Sequence, residues 1–360
     1  MYFYRSIDKS LKAPMNTKKK DIRSLNKEQL RDFFVKNGDK AFRGNQVYEW
    51  LWNKSLHTFE DMTNISLDTR LMLQENFVIN HIEVDSMQRS KDGTIKNGIR
   101  LHDGLIVESV LIPTEKRTTA CVSSQVGCSL DCRFCATSRL KRMRNLNPDE
   151  IYDQVVAIDK QSQLYHNHRL TNIVFMGMGE PLMNYNNVIK SIDKITSPEG
   201  LGMSSKRITV STSGVPKIIK KMADDQVKFN LAVSLHSAID KVRTSIMPFN
   251  ETFPLHDLAE SLIYWYEKTQ RHVTYEYVVW DGINDKKEDI KALINFCKHI
   301  PCKVNLIEYN PIDDGEFQQA SSRAIDNYIS NLEMHDIVVN VRRSRGKDID
   351  AACGQLANKS

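Results

Sequence analysis

The sequence predicts an α/β fold: a partial (β/α)6 barrel with a small N-terminal helical domain and a short β-hairpin extension. Three observations carry this. From about residue 117, strand-like apolar runs alternate six times with helical patterns, the mark of a parallel sheet built from βαβ units. Residues 24–80 keep a helical period throughout. Residues 81–116 switch to short strands set off by turn residues. Six units are too few to close an eight-stranded barrel, so the sheet should stay open, with its site at the C-terminal ends of the strands.

The elements follow in order. Residues 1–23 read as a basic, weakly ordered tail containing Lys18-Lys19-Lys20. In 24–80, Asn26 followed by Gln29 forms a capping box, Leu30, Phe33 and Phe34 give an apolar face, and Gly38 ends the helix. Val47, Trp50 and Leu51 mark a second helix, and Leu67, Leu71 and Leu73 a third. This module holds no catalytic constellation and suits RNA docking. Asp92-Gly93 and Asp103-Gly104 are hairpin turns, with a strand over 106–111. Strands are then expected at 118–123, 172–177, 206–212, 227–235, 273–280 and 302–307. Helices are expected near 149–164, 185–197, 216–224, 255–270, 285–299 and 321–334. A last strand near 336–342 completes a barrel domain of 117–343 and leads into a tail, 344–360.

Composition narrows the class. Hydrophobic residues are 41% of 360 and charged residues 26%, which excludes wholesale disorder. The net charge of +5 is compatible with a polyanionic partner without requiring one. Mean hydropathy is −0.44, and no run approaches the roughly 18 apolar residues of a membrane span. The opening stretch MYFYRSIDKSLKAPM lacks the apolar core of a secretory signal, so cytoplasmic residence is expected. In a reducing compartment, seven cysteines point to metal ligation or catalysis rather than a disulfide framework.

Three of them, Cys128, Cys132 and Cys135, stand as Cys-x3-Cys-x2-Cys on the loop after the first parallel strand. Three close thiolates can hold three irons of a [4Fe–4S] cluster and leave the fourth iron open. The competing readings are a zinc site, which wants a fourth protein ligand, and a buried apolar cysteine cluster.

The spacing, with Phe134 before the last cysteine, resembles the radical S-adenosylmethionine signature. Cys121-Val122-Ser123-Ser124-Gln125-Val126-Gly127-Cys128, Met176-Gly177-Met178-Gly179-Glu180-Pro181, Ser234-Leu235-His236 and Asp348-Ile349-Asp350-Ala351-Ala352-Cys353-Gly354-Gln355-Leu356 narrow it further. They resemble the RlmN/Cfr family, whose members methylate carbon 2 or carbon 8 of adenosine in RNA, over residues 24–357. Gly179-Glu180-Pro181 and the helical module resemble the C2 branch, which acts on 23S rRNA and tRNA. The C8 branch, the alternative, typically has Ala where Pro181 stands. The run Ser138–Arg144 departs from the family's usual Gly-rich text.

The resemblance implies a radical-SAM barrel holding a [4Fe–4S] cluster on Cys128, Cys132 and Cys135, with S-adenosyl-L-methionine beside it. Gly179, Glu180, Ser211, Ser234, Leu235, His236 and Asn310, each at a strand end, match the family's cofactor pocket; Leu235 would have to serve through its main chain. Cys353 would first accept a methyl group. A 5′-deoxyadenosyl radical would then abstract hydrogen from it, the carbon radical would add to adenine, and Cys121 would attack sulfur, releasing product and leaving a disulfide. Glu108 matches the residue proposed as the base for the ring proton. An electron donor such as flavodoxin is implied, with a monomeric enzyme. Cys297 and Cys302 read as core residues.

A radical route suits the target. The carbon between two ring nitrogens is electron-poor and a sulfonium methyl is electrophilic, so direct transfer is mismatched. Arg133, Arg139, Lys141, Arg142 and Arg144 form one basic run, and Arg342, Arg343, Arg345 and Lys347 a second. Both border the expected site and suit an RNA phosphate rim. The base must leave its stack to be reached. Two other readings stand beside this one: a radical enzyme acting on protein glycine, which leaves Cys121 and Cys353 without roles, and a zinc-dependent RNA-binding module.

Overall fold

The structure, a computed structural model, describes residues 19–312 and 315–358. They divide into two compact units, one ending at Asn80 and one beginning at His81.

The first unit is three helices, α1 (Lys27–Lys36), α2 (Phe42–Trp52) and α3 (Leu67–Asn76). The Asn26 side chain accepts from the Gln29 amide at 2.8 Å, and Gln29 accepts from the Asn26 amide at 2.9 Å, so the expected capping box is present. Such a cap is worth about 1 kcal/mol. Leu30, Phe34, Val47, Leu51 and Leu73 make the core. Leu67 and Leu71 do not join it: they are 62% and 47% exposed. The heptad-like spacing suggested a face for α3 that only Leu73 and Thr69 bury. Of the weakly ordered tail expected over 1–23, residues 1–18 lie outside the described residues, and residues 20–23 form regular structure instead. Lys20–Asp21 pairs in parallel with Phe77–Val78, and Ile22 is buried.

The second unit is built on one ten-stranded sheet whose strands lie side by side in chain order. Strands β1 (Glu83–Arg89), β2 (Ile95–Arg100) and β3 (Ile106–Pro113) are antiparallel, joined by turns at Gly93 (φ +86°) and Gly104 (φ +82°). β3 pairs antiparallel with β4 (Thr118–Cys121), Val110 facing Cys121. From β4 onward every pairing is parallel: β5 (Asn172–Phe175), β6 (Ile208–Thr212), β7 (Asn230–Ser234), β8 (Val273–Val278), β9 (Cys302–Ile307) and β10 (Val338–Arg342). The crossovers carry α4 (Pro148–His166), α5 (Tyr185–Thr196), α6 (Pro216–Asp224), α7 (Asp240–Ile246), α8 (Leu255–Thr269), α9 (Lys287–Cys297) and α10 (Ser322–Glu333). The open (β/α)6 arrangement is therefore as expected, with β10 as a seventh parallel strand. The seven-residue α7 went unforeseen, because it is too short to show a helical period.

The strands are two-faced. On β8, Val273, Tyr275 and Tyr277 are buried, while Thr274 and Glu276 line an interior cavity. Thr119 and Cys121, Asn172 and Val174, and Lys303 and Asn305 repeat the alternation. The two-residue period of a strand thus sends polar side chains into the barrel and apolar ones outward. α6 packs on α8 through faces that include Ile219, Met222, Leu258 and Leu262.

Candidate active site

The loop after β4 carries Cys128, Cys132 and Cys135. Its path is fixed by backbone and side-chain bonds: Arg133 N–H donates to the Ile246 carbonyl at 3.0 Å, and Ser138 Oγ donates to the Cys132 and Cys135 carbonyls at 2.6 and 2.7 Å. Gly127 (φ +72°) enters it where an added Cβ would sit 2.5 Å from the Lys141 carbonyl oxygen. Phe134 lies edge-on to His236 (4.8 Å) and tilted against Trp280 (5.1 Å), and Trp280 packs on Tyr309 and Phe317. This aromatic layer keeps water from one side of the loop.

All three cysteines line one cavity of about 160 Å³ at the C-terminal strand ends. Burial pushes the Cys128 thiol up to about 12, and burial together with the neighbouring cysteines raises Cys132 and Cys135. Thiolates gathered there need positive charge from a bound group, which iron supplies. Three thiols on one loop that line one cavity suit a cubane, which takes each thiolate on a different iron.

Glu180 is 3% exposed. Its Oε1 accepts from the Leu182 amide at 2.9 Å and its Oε2 from the Ser213 amide at 2.8 Å; burial raises its pKa and these bonds oppose the rise. Gly179 has φ +95°, and a Cβ there would lie 2.5 Å from the Gln125 Cβ. Gln125 in turn accepts from the Glu180 amide at 2.9 Å, so both glycine criteria, conformation and close approach, apply. Gly179→Ala is expected to weaken S-adenosylmethionine binding about tenfold or more, because the displaced loop carries Glu180 and such strain is of order 1–3 kcal/mol. Calorimetric titration checks this; unchanged affinity removes Gly179 from the pocket.

Ser211, Ser234, His236 and Asn310 line the same cavity. His236 sits at φ +56°, fully enclosed; burial brings its imidazole down to about 3, so it is neutral, and its Nδ1 accepts from the Val278 amide at 3.2 Å. Asn310 Nδ2 donates to the Cys353 carbonyl at 3.2 Å, while its Oδ1 is buried without a partner, an acceptor available to a bound group. Leu235 is not brought to the cavity. Its amide donates to the Glu276 carbonyl at 3.0 Å and its carbonyl accepts from Arg243 Nε at 3.1 Å, so its main chain is already committed.

Cys121 and Cys353 share a cavity. Both line a second cavity of about 580 Å³ inside the barrel, and Cys353 also lines the cysteine-loop cavity. Burial raises the Cys121 thiol to about 12, with the nearby Cys353 adding to the rise. Both are free thiols, so the disulfide implied for the end of turnover is not formed here. The tail that presents Cys353 is strapped down. Ala136 N–H donates to the Gly354 carbonyl at 2.7 Å, Thr137 Oγ1 to the Leu356 carbonyl at 2.6 Å, and Ser90 Oγ to Asp348 at 2.6 Å.

Glu108 lines neither cavity. Its Oε2 accepts from the Ala357 and Asn358 amides at 2.7 and 3.1 Å, and its Oε1 lies 3.5 Å from buried Lys96 Nζ.

The basic runs are divided by the fold. Arg144 bonds Glu150 at 2.7 and 2.8 Å and Asp103 at 2.6 Å, and Arg133 pairs with Glu316. Glu150 lies just beyond the run and Asp103 and Glu316 are distant in sequence, so the absence of acids within the run overstated the free positive charge. Lys141 and Arg142 remain exposed. Sequence reading also missed Arg243, wholly buried beneath the site, which donates to the Ser213, Ser234 and Leu235 carbonyls. Nothing local marks it out.

An open parallel barrel with this cysteine loop at its C-terminal rim, beside a buried glycine-glutamate turn, defines a radical S-adenosylmethionine enzyme, the class that works with a [4Fe–4S] cluster and S-adenosylmethionine. The radical SAM superfamily profile matches residues 122–297, and that of the ribosomal RNA large subunit methyltransferase N-terminal domain matches residues 20–79. A solved radical SAM methyltransferase from Sphaerobacter thermophilus superposes with a TM-score of 0.88 at 35% identity, over 94% of this chain and all of that one. The probable dual-specificity RNA methyltransferase RlmN of Flavobacterium johnsoniae is 76% identical over 345 residues, 96% of this chain and 99% of that protein. The dual-specificity RNA methyltransferase RlmN of Desulfotalea psychrophila is 40% identical over 95% of this chain and 96% of its own. The chain belongs to the RlmN family, and is a radical SAM methyltransferase.

Proposed function

We propose that the protein methylates carbon 2 of a specific adenosine in 23S rRNA and of an adenosine beside the anticodon in tRNAs, through a methyl group carried on Cys353. The observation that supports this reading is that Cys121 and Cys353 line one cavity, which shares a wall with the cavity of the cysteine loop. A single thiol would suffice to accept a methyl; a second beside it suits release of a sulfur-bound product.

Cys128, Cys132 and Cys135 would hold the cluster, which would supply the electron for cleavage of S-adenosylmethionine. Glu180, Ser211, Ser234, His236 and Asn310 orient the cofactor; Leu235 contributes only if its strand bonds open. Cys353 holds the methyl, fixed by Asn310 and by the Ala136–Gly354 bond. Cys121 attacks the Cys353 sulfur and closes the disulfide. Residues 24–80 dock the RNA, with 81–116 as linker, 117–343 as catalytic barrel and 344–360 as acceptor tail. The reading requires a one-electron donor such as flavodoxin, and puts the protein, as a monomer, in the cytoplasm with its substrates. No helix among the described residues is long and apolar enough to cross a membrane.

Glu108 is our candidate for the ring proton. Glu108 lines neither cavity, so the wall between must open for it to take the proton, and Ala357 and Asn358, bonded to its Oε2, are the tail residues that would shift. Glu108→Gln keeps an acceptor for those amides but not a base. It is expected to load methyl on Cys353 normally while RNA methylation falls by about 10²-fold or more. Equal losses of loading and methylation would make Glu108 an anchor alone. The function itself is tested by mass spectrometry of nucleosides from 23S rRNA and tRNA of a strain lacking the gene. 2-Methyladenosine should vanish from both; its persistence in both overturns the reading.

A further inference from the structure

The two cavities share Met176, Glu276, Ile307, Arg342 and Cys353 in their walls. Arg342, placed by sequence in an outward basic run, is the last residue of β10, opposite Ile307 of β9. Its guanidinium turns inward. Nη1 lies 3.0 Å from Glu276 Oε2 and 3.7 Å from Met176 Sδ. Glu276 is 3% exposed and braced from its other side, Oε1 accepting from Asn305 Nδ2 at 2.9 Å. Asn305 Oδ1 accepts in turn from Asn340 Nδ2 at 3.2 Å. This network spans β8, β9 and β10 and fixes one cation at the junction of the two cavities, where Cys353 also stands.

Resting on the two-cysteine reading above, we propose that Arg342, braced by Glu276, is the positioning residue for the Cys121 thiolate in the release step. Cys121 lines the larger cavity with Arg342, and the guanidinium charge acts on both thiols. Burial pushes the Cys121 thiol up, so the attacking thiolate is scarce unless a nearby positive charge favours it. As a thiolate, Cys353 opposes ionisation of Cys121. Once bonded to the RNA carbon it is a thioether and carries no charge, so Arg342 then acts on Cys121 unopposed. The step balances. The Cys121 proton leaves to water in the cavity, the Cys121–Cys353 sulfur–sulfur bond forms, and the bond from Cys353 sulfur to the methylene carbon breaks. Its electron pair departs with the carbon, which takes a proton to become methyl. Two sulfurs are oxidised, and carbon is reduced by the same two electrons.

The test compares wild type, Cys121→Ala, Arg342→Met and Glu276→Gln, each reconstituted with cluster and given S-adenosylmethionine, reductant and RNA. Three readouts are taken: methyl on the Cys353 peptide, product RNA, and the nuclease-sensitive slow band of a protein–RNA adduct on denaturing gels. Arg342→Met should load methyl as wild type does but hold the adduct about tenfold longer or more, one charge at a buried site being worth at least about one pKa unit. Glu276→Gln should hold it to a lesser degree. A merely structural role would lower methyl loading and adduct together. Release at the wild-type rate in Arg342→Met, with the adduct trapped in Cys121→Ala, overturns the proposal and leaves the two-cysteine reading standing. Loss of methyl loading in a folded Arg342→Met also overturns it, moving Arg342 to the earlier step. If methionine at 342 unfolds the chain, Glu276→Gln decides, and unimpaired release there is the overturning result. Absence of adduct in Cys121→Ala itself sinks the two-cysteine reading.

Discussion

Cys353→Ala should bind its cluster and cofactor but make no methylated RNA, a loss of at least about 10³-fold, as expected when a nucleophile is removed. Its tail should remain in place, because the straps run through the Gly354 and Leu356 carbonyls and the Asp348 carboxylate rather than the thiol. Cys121→Ala should fail differently. Methyl should still appear on Cys353 and add to RNA, and then the chain should stay joined to its substrate. Release needs a thiolate aimed along the sulfur–carbon axis, and solvent thiols reach a 6%-exposed position poorly. Denaturing gels with and without nuclease separate the two outcomes. Tryptic peptides of wild type showing Cys353 never methylated would end the two-cysteine mechanism for this protein.

The second large effect is on the cysteine loop. Changing Cys128, Cys132 or Cys135 to Ala should each remove most of the iron and abolish cofactor cleavage, since each thiol would be the sole protein ligand to one iron. The fold should survive: Ser138 and Arg133 hold the loop through backbone carbonyls and amides, not through sulfur. Iron assay and detection of 5′-deoxyadenosine read the result. Full loading with normal cleavage in any one variant would take that residue out of the ligand set.

The parallel strands were legible because both of their faces are enclosed, which leaves continuous apolar runs such as Leu231-Ala232-Val233. The Gly179 turn was legible for a physical reason the structure bears out: a positive φ with Gln125 packed against the α-carbon. Cys121 and Cys353 were assigned only through family resemblance. Nothing local in either stretch says that the two approach each other, since that depends on β4 and the tail reaching the same cavity. The Arg342–Glu276 pair was unreadable for the same cause. It depends on strand order and register, and a string of arginines looks alike whether its members face RNA or turn inward. Glu108 was placed on a strand, but its bonds to Ala357 and Asn358 cross 249 and 250 residues of chain. Leu67 and Leu71 show the reverse failure, where a good apolar spacing met no surface to cover.

Those long-range straps bear on the order in which the second unit folds. Ser90 is tied to Asp348 and Glu108 to Ala357 across 258 and 249 residues of chain. Closing so long a loop is costly in entropy, whereas the turns at Gly93 and Gly104 join neighbouring strands. The hairpin is therefore expected to form ahead of the straps, and the segment carrying Cys353 to settle against it last.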